Sequence, residues 1–495
     1  MLNLPHELFS AEQTRELDRL VIEHHHIPGA QLMARAGAAA LKALKYFWPQ
    51  AKQIVVVCGG GNNGGDGYEL ARQAVLDNYQ VSLIELGKVE KMSEETRAAR
   101  DALNAVADVI HPFENSLPHA DVIVDTLFGT GLDRDVEGRY AKAIQTIDAH
   151  YPTPVLSLDV PSGIHADTGK ALGSAVSASV TLSFIGLNKG LFTGDAPDYC
   201  GQICFDSLEI PAEAYQAVQA DALRLDLSQY RHLLSPRPRT AHKGAYGHLL
   251  VIGGDNGMPG AARVAAEAGA RVGSGLTSVA THYAHSAILN QARPELMCHG
   301  IEQADDLAPL VEKASVLAIG PGLGQSSWSQ SLHKVIMASE QSMVVDADAL
   351  NLLSHTPQKR DNWILTPHPG EAGRLLACSS SEIQANRFEA VKALQQRYGG
   401  VIVLKGAGTL IYDGQSPVKL CTAGNPGMAS GGMGDALTGV IAGLLAQKLS
   451  LADAACLGVL LHAMAADKAA EASGERGMLA MDLMPHLRQL VNLRY

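Results

Sequence analysis

Repeatedly in this chain a continuous apolar run stops abruptly at Gly, Asp or Ser, and this pattern constrains the fold more than any other feature. In the first half the runs are QIVVVCG (53–59), VSLIELG (81–87), DVIVDTLFG (121–129), PVLSLDVPSG (154–163) and VTLSFIG (180–186). A strand with one wet face alternates apolar and polar residues; these do not, so both faces are covered. Stretches of helical spacing separate most of them. The pattern predicts a doubly wound α/β architecture with a parallel sheet, whose ligands sit beyond the carboxyl ends of the strands. Residues 10–48 come first and carry no strand signal. TRELDRL and QLMARAGAAALKAL read as two helices separated by His24, His25, His26, Ile27, Pro28 and Gly29. Adjacent histidines point in different directions, so they read as a solvated helix end rather than a metal site.

The pattern lapses between about residues 206 and 246, where SPRPRTAHKG (235–244) has no periodicity. A second series follows: HLLVIGG (248–254), LTSVATH (276–282), SVLAIGPGLG (315–324), SMVVDADAL (342–350), WILTPHPGE (363–371), VIVLKGAGT (401–409) and TLIYD (409–413). A glycine-rich turn and an apolar helix end it, GNPGMASGGMGDALTGVIAGLLA (424–446). At roughly 100–200 residues per domain, two large domains account for the length. The expected division is a domain over 1–215, a linker over 216–230 and a second domain over 231–495.

The net charge of −12 and an aromatic content of 5% argue against a nucleic-acid binder. The seven cysteines are scattered; Cys200 and Cys204 are near neighbours, but no second pair completes a zinc site, so they read as reduced thiols. The opening residues lack the basic and apolar regions of a signal peptide. Ala436–Ala446 is far short of the roughly 20 apolar residues that span a bilayer. A cytoplasmic protein with no membrane partner is expected.

After the strand QIVVVC, the loop Gly59-Gly60-Gly61-Asn62-Asn63-Gly64-Gly65-Asp66-Gly67 satisfies G-x-G-x-x-G, and Glu85 lies about 20 residues on. Alone that fingerprint would suggest a dinucleotide dehydrogenase. Asn62, Asn63 and Asp66 argue otherwise, because a carboxylate at the phosphate turn repels pyrophosphate, whereas oxygen-rich side chains suit a hard cation or polar ligand. Asp66 could equally cap the next helix. Asp125 and Asp159 end two further strands, the first followed by Gly129-Thr130-Gly131 and the second by Val160-Pro161-Ser162-Gly163. Taken singly each could be a turn former. Together they can bring a carboxylate, an amide and a hydroxyl or carbonyl around a monovalent cation, leaving Asp159 as an acid/base candidate.

GGGNNGGDG, VDTLFGTGL and LDVPSGIHADTG, over residues 10–205, together resemble the NAD(P)H-hydrate epimerase family (the YjeF N-terminal domain). The resemblance implies a Rossmann-like sheet and a potassium ion (K⁺) at Asn63, Asp125 and Ser162. It implies that hydrated nucleotide meets Asn62, Asn63, Gly64, Gly65 and Asp66; then Gly129, Thr130, Gly131, Leu132, Asp133, Arg134 and Asp135; and also Tyr140 and Asp159. The reaction would interconvert R and S epimers at the hydrated nicotinamide carbon, with Asp159 moving the proton.

In the second half, the turn from Gly424 to Asp435 opens a helix, where converging N–H groups and the helix terminus form an anion hole. Asp435 reads either as a general base or as an ordinary acidic residue favoured by the helix dipole. Lys405, followed by Gly406, Ala407, Gly408 and Thr409, suits a pyrophosphate, unless the lysine is merely superficial. His368 sits in a proline-flanked loop at a strand end. No G-x-x-x-x-G-K-[ST] is present, which excludes a P-loop enzyme.

AHKGAYGHLLVIGGDNGMPGA, AIGPGLG, VVDADALN, LTPHPGE, LKGAGT and NPGMASGGMGDALTG, in that order over 232–450, resemble the ribokinase-like superfamily and, more closely, the NAD(P)H-hydrate dehydratase family. The resemblance implies a ribokinase-like domain in which Ala261, Gly324, His368 and Asp435 contact hydrated nucleotide. It also implies that Lys405, Gly406, Ala407, Gly408, Thr409 and Gly434 contact an adenine nucleotide. The usual Gly-Ala-Gly-Asp turn appears as Gly432-Met433-Gly434-Asp435. Likeness to bacterial two-domain members implies ADP, with Mg²⁺ offsetting phosphate charge and Asp435 activating the ring hydroxyl. It also implies a homo-oligomer. Both halves then serve NADHX and NADPHX, as expected of a bifunctional nicotinamide nucleotide repair enzyme. The competing expectation is a ribokinase-like kinase of a small alcohol with a regulatory N-terminal domain.

Overall fold

A computed structural model describes residues 3–492. The chain divides into two compact units, Met1–Leu223 and Arg224–Tyr495. In the stretch 216–230 the chain is not irregular throughout: it forms a short strand, Ala222–Arg224, and a helical turn, Leu227–Tyr230, capped by Asp226.

In the first unit the helices Ala11–Glu23 and Gly29–Phe47 flank the histidines, and Ser10 caps the former in a reciprocal box with Gln13. His24 is the exposed C-cap, as expected of a solvated helix end. A seven-stranded sheet follows, every neighbouring pair parallel. Its order is Ile110–Pro112, Gln80–Glu85, Gln53–Cys58, Val122–Thr126, Val155–Leu158, Val180–Phe184, Gln202–Asp206. The chain starts mid-sheet at Gln53–Cys58, runs outward to one edge and returns to build the other. The order therefore reverses between Gln53–Cys58 and Val122–Thr126, where a crevice opens beyond the strand ends. Gly59 is obligatory there, because a Cβ would sit 2.0 Å from the Leu127 carbonyl oxygen. The strands Ile110–Pro112 and Gln202–Asp206 are absent from the sequence reading. Both are edge strands, and their mixed composition gives no continuous apolar run.

The second unit's sheet has the order Val418–Cys421, Thr409–Tyr412, Val401–Leu404, Trp363–Leu365, Ser342–Val345, Val316–Ile319, His248–Ile252, Leu276–His282, Met297–Ile301. It is parallel from Val401–Leu404 onward, and Thr409–Tyr412 is antiparallel to both of its neighbours. Met297–Ile301, an edge strand, and Val418–Cys421 were again unread. Among the described residues no helix is long and apolar enough to cross a membrane.

Helix Met433–Ala446, apolar all round, packs on helix Pro259–Arg271 through glycine. A Cβ on Gly439 would lie 1.9 Å from the Ala265 carbonyl oxygen, and one on Gly443 would lie 2.6 Å from that of Gly269. The seam fixes the spacing of two helices that carry candidate site residues, Asp435 and Ala261. Gly439→Ala must force them apart, and overpacking of this kind costs about 1–3 kcal/mol. The expected result is a lower urea midpoint with an unchanged slope. An unchanged midpoint would mean that the seam has slack.

Candidate active site

In the first unit, the loops at the crevice and the helix Ala11–Glu23 enclose a cleft of about 1160 Å³. Asn62, Asn63, Asp66, Gly129 through Asp135, Tyr140 and Asp159, all singled out in the sequence, line it together. Gly64 and Gly65 do not. A Cβ on Gly64 would meet the Gly59 carbonyl at 2.2 Å, and one on Gly65 would meet Met33 at 2.4 Å, so both glycines serve the close packing of helix Asn62–Leu76. Asp66 lies within that helix rather than at its cap. Glu85 is committed elsewhere: it accepts from the Tyr68 hydroxyl at 2.6 Å and pairs with Arg100 at 2.6 Å. It is thus unavailable for the ribose contact a dinucleotide dehydrogenase requires.

Asp159 holds a left-handed backbone, φ 66°, unusual for a residue with a side chain. Its Oδ2 accepts from the Thr130 N–H at 2.9 Å, which ties the strand end to the Gly129–Asp135 loop. Burial raises its pKa to about 6. Burial, then the Asp159 charge, raises Asp18 to about 7. Asp66 is pushed well up by burial and by the charges of Asp159 and Asp18. Asp18 was missed in the sequence, where it is one of several charges in TRELDRL. Arg15, Lys88 and Lys91 also line the cleft and were likewise missed.

Beneath the cleft, Asp125 is fully buried. Its carboxylate accepts from the Ser162 hydroxyl at 2.6 Å, the Ser162 N–H and the Ser157 hydroxyl, each at 2.9 Å, and the Leu127 N–H at 3.2 Å. The Asn63 amide donates to the Phe128 carbonyl at 2.8 Å and to the Leu158 carbonyl at 3.1 Å, and its own Oδ1 is buried without a donor. An orphaned amide oxygen beside carbonyls and a buried carboxylate is the donor set a monovalent cation prefers. The Ser162 hydroxyl donates to Asp125 and accepts from the Phe128 N–H at 2.8 Å, so Asn63 Oδ1 is the side-chain oxygen here that receives no donor among the described residues.

In the second unit, Gly432 (φ 88°) turns the chain into helix Met433–Ala446, with Asp435 in its first turn. Burial, followed by the charge of Asp346, raises the Asp435 pKa to about 6, against the opposing pull of Lys405. Lys405 is not a surface lysine. Its ammonium lies 2.7 Å from the buried Asp346 carboxylate and 3.8 Å from that of Glu371. The other Asp346 oxygen accepts from Thr438, one turn beyond Asp435, at 2.7 Å. A Cβ on Gly434 would come within 3.4 Å of the Lys405 ammonium, which places the glycine turn against the lysine. His368 caps helix Pro369–Leu376, where its Nδ1 accepts from the Gly370 N–H at 3.0 Å and its N–H donates to Glu371 at 2.8 Å. Gly324 donates its N–H to Asp348 at 2.9 Å and faces Asp255, while Ala261 lies against Gly322. Asp346, Asp348 and Glu371 were not singled out in the sequence, although Asp346 ends a strand as Asp125 and Asp159 do.

Comparison with known proteins agrees with this division. Residues 249–489 match the family model described as NAD(P)H-hydrate dehydratase, and residues 29–190 match that of the YjeF-related protein N-terminus. The chain is 51% identical to the bifunctional NAD(P)H-hydrate repair enzyme of Coxiella burnetii, over 98% of this chain and 99% of that one. It is 43% identical to the enzyme of that name from Escherichia coli, over 99% and 95%. Among solved structures, a hypothetical protein from Streptococcus mutans aligns at 31% identity with a TM-score of 0.50, covering 54% of this chain and 98% of its own. A ribokinase-like superfamily protein from Enterococcus faecalis aligns at 30% identity and 0.50, covering 55% and 95%.

Proposed function

Since this chain belongs to the bifunctional NAD(P)H-hydrate repair enzymes, we propose that its two units share the work as two separate sites acting on one damaged metabolite. The N-terminal unit is the NAD(P)H-hydrate epimerase and the C-terminal unit the NAD(P)H-hydrate dehydratase.

In the epimerase cleft the hydrated nicotinamide carbon carries a hydroxyl beside the ring nitrogen. The nitrogen lone pair can expel that hydroxyl once a proton is supplied to it, or the hydroxyl oxygen can give up its proton and open the ring as the C–N bond breaks and the nitrogen is protonated. Asp159, with its pKa near 6 and its carboxylate held by the Thr130 N–H, moves that proton. Asn63 Oδ1, with Asp125 and the Phe128 and Ser162 segments, would hold K⁺, which supplies fixed positive charge beneath the substrate.

In the dehydratase site Asp435 takes the proton of the ring hydroxyl as its oxygen attacks the terminal phosphorus of ADP. The new O–P bond forms as the bridging P–O bond breaks and AMP leaves. The ring nitrogen then expels phosphate, the neighbouring ring carbon gives up a proton so that the nicotinamide double bond returns, and NAD(P)H, AMP and phosphate are the products. Lys405 through Thr409, with Gly434, hold the nucleotide, and Ala261, Gly324 and His368 hold the substrate. Lys405 pairs directly with Asp346 and more distantly with Glu371, so these residues suit a Mg²⁺ carried on phosphate oxygens and water, where it would offset phosphate charge.

The observation that carries this reading is that one chain joins both matched units, when spontaneous hydration yields both epimers and a dehydratase selects one. The test mixes purified protein with both epimers of NADHX, K⁺, Mg²⁺ and ADP and follows reduced-nicotinamide absorbance to its endpoint. Recovery of both epimers is expected. A plateau at the S fraction would overturn the epimerase half. No recovery with ADP or ATP, with phosphate transferred to an organic alcohol, would favour the kinase.

A further inference from the structure

Behind the loop Lys405–Thr409 lies a guanidinium that nothing above uses. Arg387 opens helix Arg387–Tyr398 yet is only 1% exposed. Among the described residues it pairs with no carboxylate. Its Nη2 donates to the carbonyls of Leu404 at 3.3 Å and Gly408 at 3.2 Å, and its Nη1 to the Lys405 carbonyl at 3.3 Å and the Gln384 side chain at 2.9 Å. Its Nε is buried with no acceptor. The Thr409 hydroxyl draws in the remaining glycine carbonyl, that of Gly406, at 3.0 Å.

The consequence is a loop turned inside out. The carbonyls of Lys405 and Gly408 turn in toward Arg387 and that of Gly406 is held within the loop by Thr409, at φ values of 141° for Gly406 and 64° for Gly408 that favour glycine. Among the described residues no protein acceptor takes the N–H of Gly406 or of Gly408. Gly406 itself is exposed. Outward N–H groups above a cation form an anion cradle. Gly406 must also be glycine, because a Cβ there would strike Arg387 Nη1 at 2.5 Å. A buried charge without a counterion is costly to maintain, and an anion arriving on the loop supplies one. Burial lowers the arginine's pKa only to about 10, so the charge is present at neutral pH.

We infer that Arg387 is a positioning residue for the nucleotide: it holds the Lys405–Thr409 loop with its N–H groups outward and sets a buried positive charge beneath the nucleoside diphosphate. This rests on the reading of that loop as the ADP site. Arg387 itself does not touch the ligand.

The test measures dehydration of S-NADHX by the full chain at varied ADP for Arg387→Met, Arg387→Lys and Gly408→Ala. For Arg387→Met, KM for ADP is expected to rise at least about tenfold, equivalent to about 1.4 kcal/mol. The kcat and the KM for S-NADHX stay near wild type, and the rise in Tm that ADP gives the wild-type protein is lost. Arg387→Lys keeps the charge but cannot span the carbonyls, so its KM for ADP falls between the two. If Arg387→Met does not fold, Arg387→Lys alone decides, and a wild-type KM overturns the inference. If Gly408→Ala raises KM for ADP while the arginine variants do not, the loop reading stands and the role of Arg387 falls. If no variant moves that KM, the loop is not the ADP site and both fall.

Discussion

Asp435→Ala lowers dehydration at least about 10²-fold, the scale expected when a general base is removed, while epimerisation in the same preparation continues. The reason is local. Gly432 turns the chain into helix Met433–Ala446, at whose N-terminus the proposed phosphoryl group would lie, and Asp435 sits in that first turn. A carboxylate beside a phosphate is unfavourable unless it performs chemistry. Its pKa of about 6 follows from burial and the Asp346 charge, and this gives the prediction a pH signature. A base works only when deprotonated, so dehydration should level off above about pH 6 and fall roughly tenfold per unit below it. The residual activity of Asp435→Ala should lack that limb. A variant within threefold of wild type, or one that keeps the limb, would remove Asp435 from the chemistry.

What the sequence revealed and what it hid have separate physical causes. Buried parallel strands announce themselves because both faces must be apolar, so QIVVVC and VIVL were readable. Edge strands such as Ile110–Pro112 and Met297–Ile301 keep one side open and mix polar with apolar residues, and no periodic signal remains. The loops of the sites were readable because glycines after strands mark a close approach of backbone to ligand or to a neighbouring strand. Gly59 marks such an approach, whereas Gly64 and Gly65 mark helix packing, a distinction that sequence spacing does not contain. Charged residues were the hardest. Arg387 opens the polar helix RFEAVKALQQRY, which carried no sequence reading, yet it is buried. Asp18 is one of several charges in TRELDRL, yet it lines the epimerase cleft. In both cases tertiary packing decides which charge leaves water.

Asp159→Ala should stop epimerisation and leave dehydration of the S epimer intact. Given both epimers and ADP, the variant should recover absorbance only to the S fraction and then halt. The expected loss is at least about 10²-fold, again the scale of a lost acid/base group. Asp159→Asn is the sharper variant, because its amide oxygen can still accept from the Thr130 N–H and so preserve the loop that Asp159 anchors at 2.9 Å. If Asp159 serves only to hold that loop, Asp159→Asn keeps its activity and Asp159→Ala loses it. If Asp159 moves protons, both lose it alike. The surroundings favour the second outcome. Asp18 and Asp66 share the cleft, like charges in one site resist joint ionisation, and with pKa values of about 7 and 6 Asp18 and Asp159 both titrate close to neutrality. Loss of both activities in a folded Asp159→Asn protein would instead mean that the two units do not act as separate sites.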